Sequence, residues 1–422
     1  MEVGRRLVFL ARICLLIGLL LSAYFVIRQG VGAWYFRKGG PEAVQSAIQW
    51  DSGNPQYFDA LGSLMHFYAD AGNPKDIVSA YQTATRLSSH NAYYWADLGA
   101  AYDWAGRPDD ALRAFEQARQ LFPNSPDINW RLANFYVRAG KTSEALRALQ
   151  KVLAGDNVAR HHAFALATSA TRDTNAILSE MLPVRADIYF EYLDFLIAAG
   201  KMDAAEMVWA RVLERNVPFE LRQVFPYLDA LIQHREPERA AETWSALAGR
   251  LPAQIHRRAG GRDLITNGSF ELDILDGGLD WRILPVEGAI VSLDSANAVD
   301  GARSLRIEFD GKHNLDFYHV LQYVPVKPDT RYRFSGSMRV NGITTQSGPR
   351  FQIYDTYDMP ILFLSTSHLV GISDWQAEQV EFKTGAATRL LVIRVARPAS
   401  RKLDNRIAGA VWIDDVRLES LE

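Results

Sequence analysis

One internal period constrains this chain more than any other feature. Leu64, Leu98 and Leu132 stand 34 residues apart; Tyr68, Tyr102 and Tyr136 follow four positions later at the same interval, as do Gly72, Gly106 and Gly140. Tyr81, Phe115 and Leu149, then Ala84, Ala118 and Val152, keep the interval in the second half of each unit. Apolar residues four apart in the first half and three apart in the second, with a glycine between the halves, predict two short helices joined by a turn. Such a pair buries its apolar face only against neighbouring pairs, so the units must stack into a solenoid.

The unit WADLGAAYDWAGRPDDALRAFEQARQLFP resembles the tetratricopeptide repeat, with Trp95, Leu98, Gly99, Tyr102, Ala111, Phe115, Ala118 and Pro123 at that family's signature positions. Leu98 and Tyr102 share a helical face, Gly106 lets the chain turn, and Ala111 and Ala118 let the paired helix approach. Pro123 ends the second helix. Residues 155–184 hold a weaker pattern, with Ala163, Leu166, Ile177 and Leu178, and read as a degenerate unit. Spacing returns in a unit near Ala186, with Tyr192, Leu196, Gly200, Ala205 and Trp209, and in another near Leu221, with Tyr227, Leu231, Trp244, Leu247 and Pro252. The expectation is a helical repeat domain over residues 41–256, with roughly six helix pairs ending near residue 252. The resemblance implies a concave surface that takes a protein partner. Leu98, Tyr102, Gly106 and Ala111 are packing residues; Tyr93, Tyr94 and Trp104 either meet the partner or bury between adjacent helices.

Ahead of the repeats, residues 7–27 read LVFLARICLLIGLLLSAYFVI, apolar apart from Arg12 and Ser22. Twenty-one such residues span a hydrocarbon core of ~30 Å as a helix. Residues 1–40 are therefore expected to be a membrane anchor and its juxtamembrane segment, with Trp34, Tyr35 and Phe36 as an interfacial aromatic belt. Small residues at cleavage-site spacing are missing before Gly30, which favours an uncleaved anchor over a signal peptide. Arg5, Arg6 and Arg12 on one side balance Arg28, Arg37 and Lys38 on the other, so charge alone leaves orientation undecided.

The texture changes near Ala259, where a Gly-Gly-Arg-Asp joint precedes short alternating stretches separated by Gly, Asp, Asn and Pro. Candidate strands cover residues 289–293, 304–309, 317–324, 332–340, 350–354, 376–383, 389–396 and 410–418. Eight strands in this span predict an antiparallel β-sandwich or jelly roll. The fold class expected for the whole is multidomain α plus β: a transmembrane helix, a helical solenoid, and an antiparallel β-sandwich over residues 262–422.

The phrase DLITNGSFE, followed by Trp281, SLRIEF, LQYVPVKPDTRYRFSGSMRV, DWQAEQVEF and VWIDDVRLE, resembles in order the galactose-binding-like jelly-roll modules attached to glycoside hydrolases. The resemblance implies a sandwich that binds oligo- or polysaccharide, often with one structural calcium where the terminal strands meet. Glu271, Asp414 and Asp415 would supply the hard oxygen ligands such an ion needs; the alternative is that Glu271 and Asp414 serve hydrogen bonds where strands pair. Sugar recognition needs flat apolar faces for the pyranose ring and planar polar groups for its hydroxyls. The segment RFQIYDTYDMP is richest in both, which makes Gln352, Tyr354, Asp355, Tyr357 and Asp358 the candidate groove, with the two tyrosines stacking. Trp281 and Trp375 are expected in or over the core, and Tyr318, Tyr323 and Tyr332 in the core or on its flank.

No phosphate loop, HExxH, GxSxG or CxxC pattern occurs, and apart from the adjacent His161 and His162 the nine histidines form no cluster. The one cysteine, Cys14, falls inside the apolar run, so the rest of the chain forms no disulfide or thiolate metal site. A net charge of -3 without a Lys/Arg-rich tract argues against nucleic acid, and 48% hydrophobic residues argue against disorder. The reading is a non-catalytic scaffold of the bacterial cell envelope. It would be single-pass in the inner membrane with its bulk outside the cytoplasm, a protein partner on the repeats and a glycan on the sandwich, as in exopolysaccharide assembly. The competing readings are a membrane-bound glycan-active enzyme, whose acids would meet only in space, and a sandwich that merely caps the solenoid.

Overall fold

The computed structural model describes residues 2–67, 73–155, 160–248 and 263–422, with the side chains of all of these except 2–8 and 11. Tyr68, Gly72, Pro252 and the joint near Ala259 lie outside the described residues. The chain divides into two compact units: residues 1–195 with 207–217, and residues 196–206 with 218–422. The second unit thus holds the last helices together with the strands.

The first unit opens on α1 (Glu2–Lys38) and α2 (Pro41–Trp50). Helix pairs follow: α3 (Pro55–Phe67) with α4 (Pro74–Leu87), α5 (Ala92–Trp104) with α6 (Pro108–Leu121), and α7 (Pro126–Arg138) with α8 (Thr142–Leu153). Proline at the first helical turn starts α4, α6 and α7, where a missing N–H is harmless. Asn73, Asn91 and Ser125 cap α4, α5 and α7 with their side chains. Gly106 and Gly140 make the predicted turns at φ 69° and 70°, a conformation that disfavours any Cβ. Tyr81, Leu98, Tyr102, Phe115, Leu132, Phe135 and Tyr136 form one buried cluster across these pairs.

The first repeat departs from the expected register. Gly99 approaches Phe115 so closely that a Cβ would lie 2.9 Å from its ring, and Gly62, not Met65, makes the same approach to Tyr81 at 2.8 Å. The first helix of that repeat is therefore 37 residues from its successor while the second is 34 away. Leu61, not Leu64, is the counterpart of Leu98. The three extra residues lie between Phe67 and Pro74 in the sequence.

The degenerate unit is α9 (Arg160–Ala170) and a short α10 (Thr174–Ala176) that runs into a single π turn, Ile177–Met181. Next come α11 (Ala186–Ala198) and α12 (Met202–Glu214), where Tyr192, Leu196, Ala205 and Trp209 are buried as the spacing predicts. In the second unit a 3-10 turn, Leu221–Val224, leads into α13 (Phe225–Gln233), followed by α14 (Pro237–Ala248).

Within α1, the segment Arg12–Lys38 is long and apolar enough to cross a membrane. Phe9, Leu15, Leu19, Leu20, Phe25 and Ile27 are all exposed. The expected aromatic belt is corrected in part. Trp34 is exposed, but Phe36 packs on Tyr57 with ring centroids 4.9 Å apart, and Tyr35 and Phe36 flank the buried cluster of Val44, Ala47 and Tyr57.

The sandwich has ten strands: β1 (Arg282–Ile283), β2 (Ala289–Asp294), β3 (Ser304–Asp310), β4 (Phe317–Pro325), β5 (Arg331–Ile343), β6 (Arg350–Asp355), β7 (Phe363–Ser365), β8 (Gly371–Lys383), β9 (Leu390–Arg397) and β10 (Ala408–Ser420). The eight expected strands are all present; β1 and β7 are too short to carry an alternation signal. Two antiparallel sheets, β1-β4-β9-β6-β7 and β2-β3-β10-β5-β8, enclose one apolar core that includes Phe270, Trp281, Phe317, Phe334, Phe351 and Ile393.

Candidate functional site

Alternation along the strands assigns the outer face of the sheet β1-β4-β9-β6-β7. Phe351 and Ile353 of β6 and Leu391, Ile393 and Val395 of β9 point into the core, so Arg350, Gln352, Tyr354, Val392 and Arg394 point out. Register places Tyr323, Val392, Tyr354 and Phe363 in one row across four strands. Leu321, Arg394, Gln352 and Ser365 form the next row.

Arg394 stands at the centre. Its Nε donates to Gln352 Oε1 at 2.9 Å and its Nη1 to the Tyr354 hydroxyl at 3.4 Å. Its guanidinium lies 4.8 Å from the centroid of the Tyr354 ring and 5.6 Å from that of Tyr318, which stacks on His319. Burial raises the Tyr354 hydroxyl above its ordinary pKa, so it stays protonated and able to donate through the neutral range. The face combines aromatic rings with the half-buried Arg394 guanidinium, while Gln352 itself is buried and holds Arg394 in place.

The five residues proposed from RFQIYDTYDMP therefore separate. Gln352 and Tyr354 belong to this face. Asp355 is buried at the end of β6, its Oδ1 accepting the amides of Tyr357 and Asp358 at 2.8 Å each. Tyr357 turns to the last helix pair: its hydroxyl donates to the Ile232 carbonyl at 2.9 Å, and Arg235 lies 5.3 Å from its ring centroid. Burial pushes that hydroxyl up to about 12. Asp355, Tyr357 and Asp358 line, with Arg235, Pro237 and Arg389, a cavity of about 350 Å³ beside α13 and α14.

The same helices reach the sheet elsewhere. Arg282 pairs with Asp229 of α13 while stacking over Tyr323 at 5.1 Å, and Arg389 pairs with Glu238 of α14 at 3.3 Å. The backbone at Gly277 and Gly278 presses on Phe225 and Trp244, where a Cβ would come within 2.3 and 2.4 Å.

The carboxylates expected to hold calcium face amides. Glu271 Oε1 accepts from the amides of Ala302 and Arg303 at 2.8 and 2.9 Å, and Asp414 Oδ2 from those of Val299 and Asp300 at 2.7 and 3.0 Å. Asp415 pairs with Arg417 at 2.6 Å. Glu271 and Asp414 thus clasp the 299–303 loop through its N–H groups, the hydrogen-bonding role that the sequence left as the alternative to calcium. Among the described residues no group of three His, Cys, Asp or Glu side chains can hold a metal ion.

Tetratricopeptide repeat models match residues 68–126 and 105–170. Residues 68–170 carry tetratricopeptide repeats. No curated protein matches the chain. Among solved structures, the chain is similar to the MamA protein, at 16% identity over 47% of this chain and 99% of that one, TM-score 0.31. It is also similar to a family 16 carbohydrate-binding module, at 21% identity over 37% and 98%, TM-score 0.26. Of the enzymatically active domain of bacteriophage CBA120 tailspike protein 4 it spans 21%, covering 38% of this chain at 14% identity and TM-score 0.28.

In the tetratricopeptide repeats, the three aromatics singled out from sequence have neighbours. Tyr93 meets Phe122 edge-on at 6.4 Å, Trp104 lies 5.2 Å from His66, and Tyr94 is half-buried. A further feature is an acid pair: Asp59 lies beside Asp97, and burial first, then the charge of Asp97, raises the Asp59 carboxyl to about 7. Arg131 neutralises Asp97 from the next pair.

In the sandwich, Trp281 is fully buried against Phe270 and Tyr332 is in the core, as expected; Trp375 is half-buried on the edge strand β8. Tyr318 and Tyr323, read from sequence as core or flank, lie on the outer face with Tyr354. Sequence reasoning also passed over Arg394. Its signal was its place as the one polar residue in the apolar run LLVIRVA, a position that alternation turns outward.

Proposed function

We propose that this protein is a membrane-anchored, non-catalytic scaffold whose repeats hold a protein partner and whose sandwich binds a glycan on the outer face of the sheet β1-β4-β9-β6-β7. The observation that carries the glycan reading is the grouping of Tyr318, Tyr323, Tyr354 and Phe363 with Gln352 and Arg394 on one sheet face. The C–H face of a pyranose packs on an aromatic ring, and its hydroxyls pair in plane with amide and guanidinium groups. The resemblance of DLITNGSFE and the phrases after it to glycan-binding modules supports the same assignment. The anchor reading rests on the exposed apolar surface of α1, and the repeats supply the partner surface. In this reading the chain sits in the bacterial inner membrane with its bulk outside the cytoplasm, where surface polymers are assembled or exported.

The test is binding of the full chain, in detergent, to an array of oligosaccharides. Wild type should bind a defined glycan class, and Tyr318→Ala with Tyr354→Ala should abolish it while the melting temperature holds. Absence of binding to every glycan would defeat the reading. It would leave the second one, that the sandwich caps the helices, which the contacts of Tyr357 with Ile232 and of Arg282 with Asp229 favour.

A further inference from the structure

The charge of the candidate face follows from its strands. Asp355 is the one acidic residue in the five strands of this sheet, and it is buried and occupied with two backbone amides. Arg394, Arg350 and Arg397 apart, the arginines in the sandwich strands have carboxylates within 4 Å. Arg306 has Glu308, Arg333 has Glu381, Arg339 has Asp374, Arg417 has Asp415, and Arg282 takes Asp229 from α13. Arg397 is wholly buried and held by the carbonyls of Leu315, Ser347 and Asn405.

Arg394 and Arg350 differ. Among the described residues neither has a carboxylate partner: Arg394 is held by Gln352 and tyrosine rings, and Arg350 reaches Gly348 O at 3.4 Å. Arg350 pairs with Ala396, two residues beyond Arg394 on β9, so the two guanidiniums spring from diagonal positions with Cα atoms roughly 7 Å apart. Burial depresses the Arg350 pKa, as expected for a partly desolvated cation that no anion compensates. Two uncompensated guanidiniums on one sheet face, that of Arg394 beside the Tyr354 and Tyr318 rings, form a receptor for a ring that carries an anion, and the guanidinium fork matches a planar carboxylate.

We infer that the glycan bound by this face is an acidic saccharide of the uronic acid class, its carboxylate seated on Arg394 and Arg350 while its ring lies against Tyr354 or Tyr318. This rests on the glycan reading above and narrows it.

The experiment compares, on the full chain in detergent, tetramers of galacturonate, glucuronate and mannuronate with their methyl esters, which keep the ring and remove the charge, and with neutral xylo-, cello- and manno-tetraose. At least one acid should bind about tenfold or more tightly than its own ester, the scale of one good charge-assisted pair. That advantage should shrink as sodium chloride rises, because partly exposed charges are screened. Arg394→Gln and Arg350→Gln should each reduce the acid-to-ester ratio, and Arg394→Lys should restore part of it. Equal binding of acid and ester, or a ratio unmoved in both glutamine variants, overturns the inference while the glycan reading stands. Binding of no probe, acidic or neutral, defeats both.

Discussion

Asp280 precedes β1 almost wholly out of water. Its Oδ2 accepts the Leu275 amide at 2.8 Å, while Oδ1 has no partner among the described residues. Burial raises its pKa from 3.8 to about 6. A carboxyl whose folded pKa exceeds its unfolded one contributes stability that is complete below about pH 4 and lost as pH rises through about 6. Asp280→Asn keeps an oxygen for the amide and removes the charge. It should therefore raise the melting temperature at pH 7.5 by roughly 5 °C, from on the order of 2 kcal/mol, and have little effect at pH 4. Thermal melts of both proteins across that range check this; a difference that does not change with pH would mean the buried group is not what titrates. The same scale explains what DLITNGSFE encodes. Asp263 accepts the amides of Ile265 and Leu418, Asn267 closes on Leu272, Gly268 admits the Val416 carbonyl where a Cβ would lie 1.9 Å away, and Phe270 enters the core. The phrase was legible as a mark of the fold because these four residues serve the fold. The candidate face was only half legible: Gln352 and Tyr354 share one strand, but Tyr318 and Arg394 join them through cross-strand register, which no local pattern carries.

At the scale of elements, prolines, caps and glycines made most helix ends readable, whereas the sequence between Phe67 and Pro74 hid a three-residue insertion. A fixed interval between leucines cannot tell a helix shifted by nearly one turn from an unshifted one, because both present an apolar residue to the core. The close approach of a glycine to the partner helix settles it, which makes Gly99 a test of the pair α5 and α6. Helices prefer almost any residue to glycine, by about 1 kcal/mol for alanine, so a glycine in mid-helix implies a steric reason. Here that reason is the Phe115 ring, 2.9 Å from where a Cβ would stand. Gly99→Val should destabilise the repeats by about 2–4 kcal/mol in urea titrations, and adding Phe115→Ala should cost less than the two single changes summed. Strict additivity would show that the ring is not what the valine meets. Short edge strands were illegible for a different reason: β1 and β7 have two and three residues, fewer than an alternation needs.

For the molecule as a whole, the proposed anchor and the repeats share a helix. The apolar surface of α1 runs exposed to Ile27, and from Arg28 onward the helix becomes part of the first helical core. Arg28 Nε donates to the Trp50 carbonyl at 2.6 Å, Gly32 has room for Asp51 and Tyr57, and Phe36 stacks on Tyr57. A membrane anchor tied by a flexible linker would be removable without consequence; one continuous with the core is not. Two truncations separate these cases. Deleting residues 1–24 removes most of the exposed apolar surface and keeps Arg28, Tyr35 and Phe36, so the product should move from the membrane to the soluble fraction with its melting temperature unchanged. Deleting residues 1–40 should also release the chain but expose Val44, Ala47 and Tyr57, lowering the melting temperature by about 5–10 °C and increasing binding of a hydrophobic dye, as expected when two aromatic side chains of about 1.5–3 kcal/mol each leave a core. Equal melting of the two products would mean that α1 lends the repeats nothing, whereas the expected difference makes the joint between the proposed anchor and the repeats a stiff one.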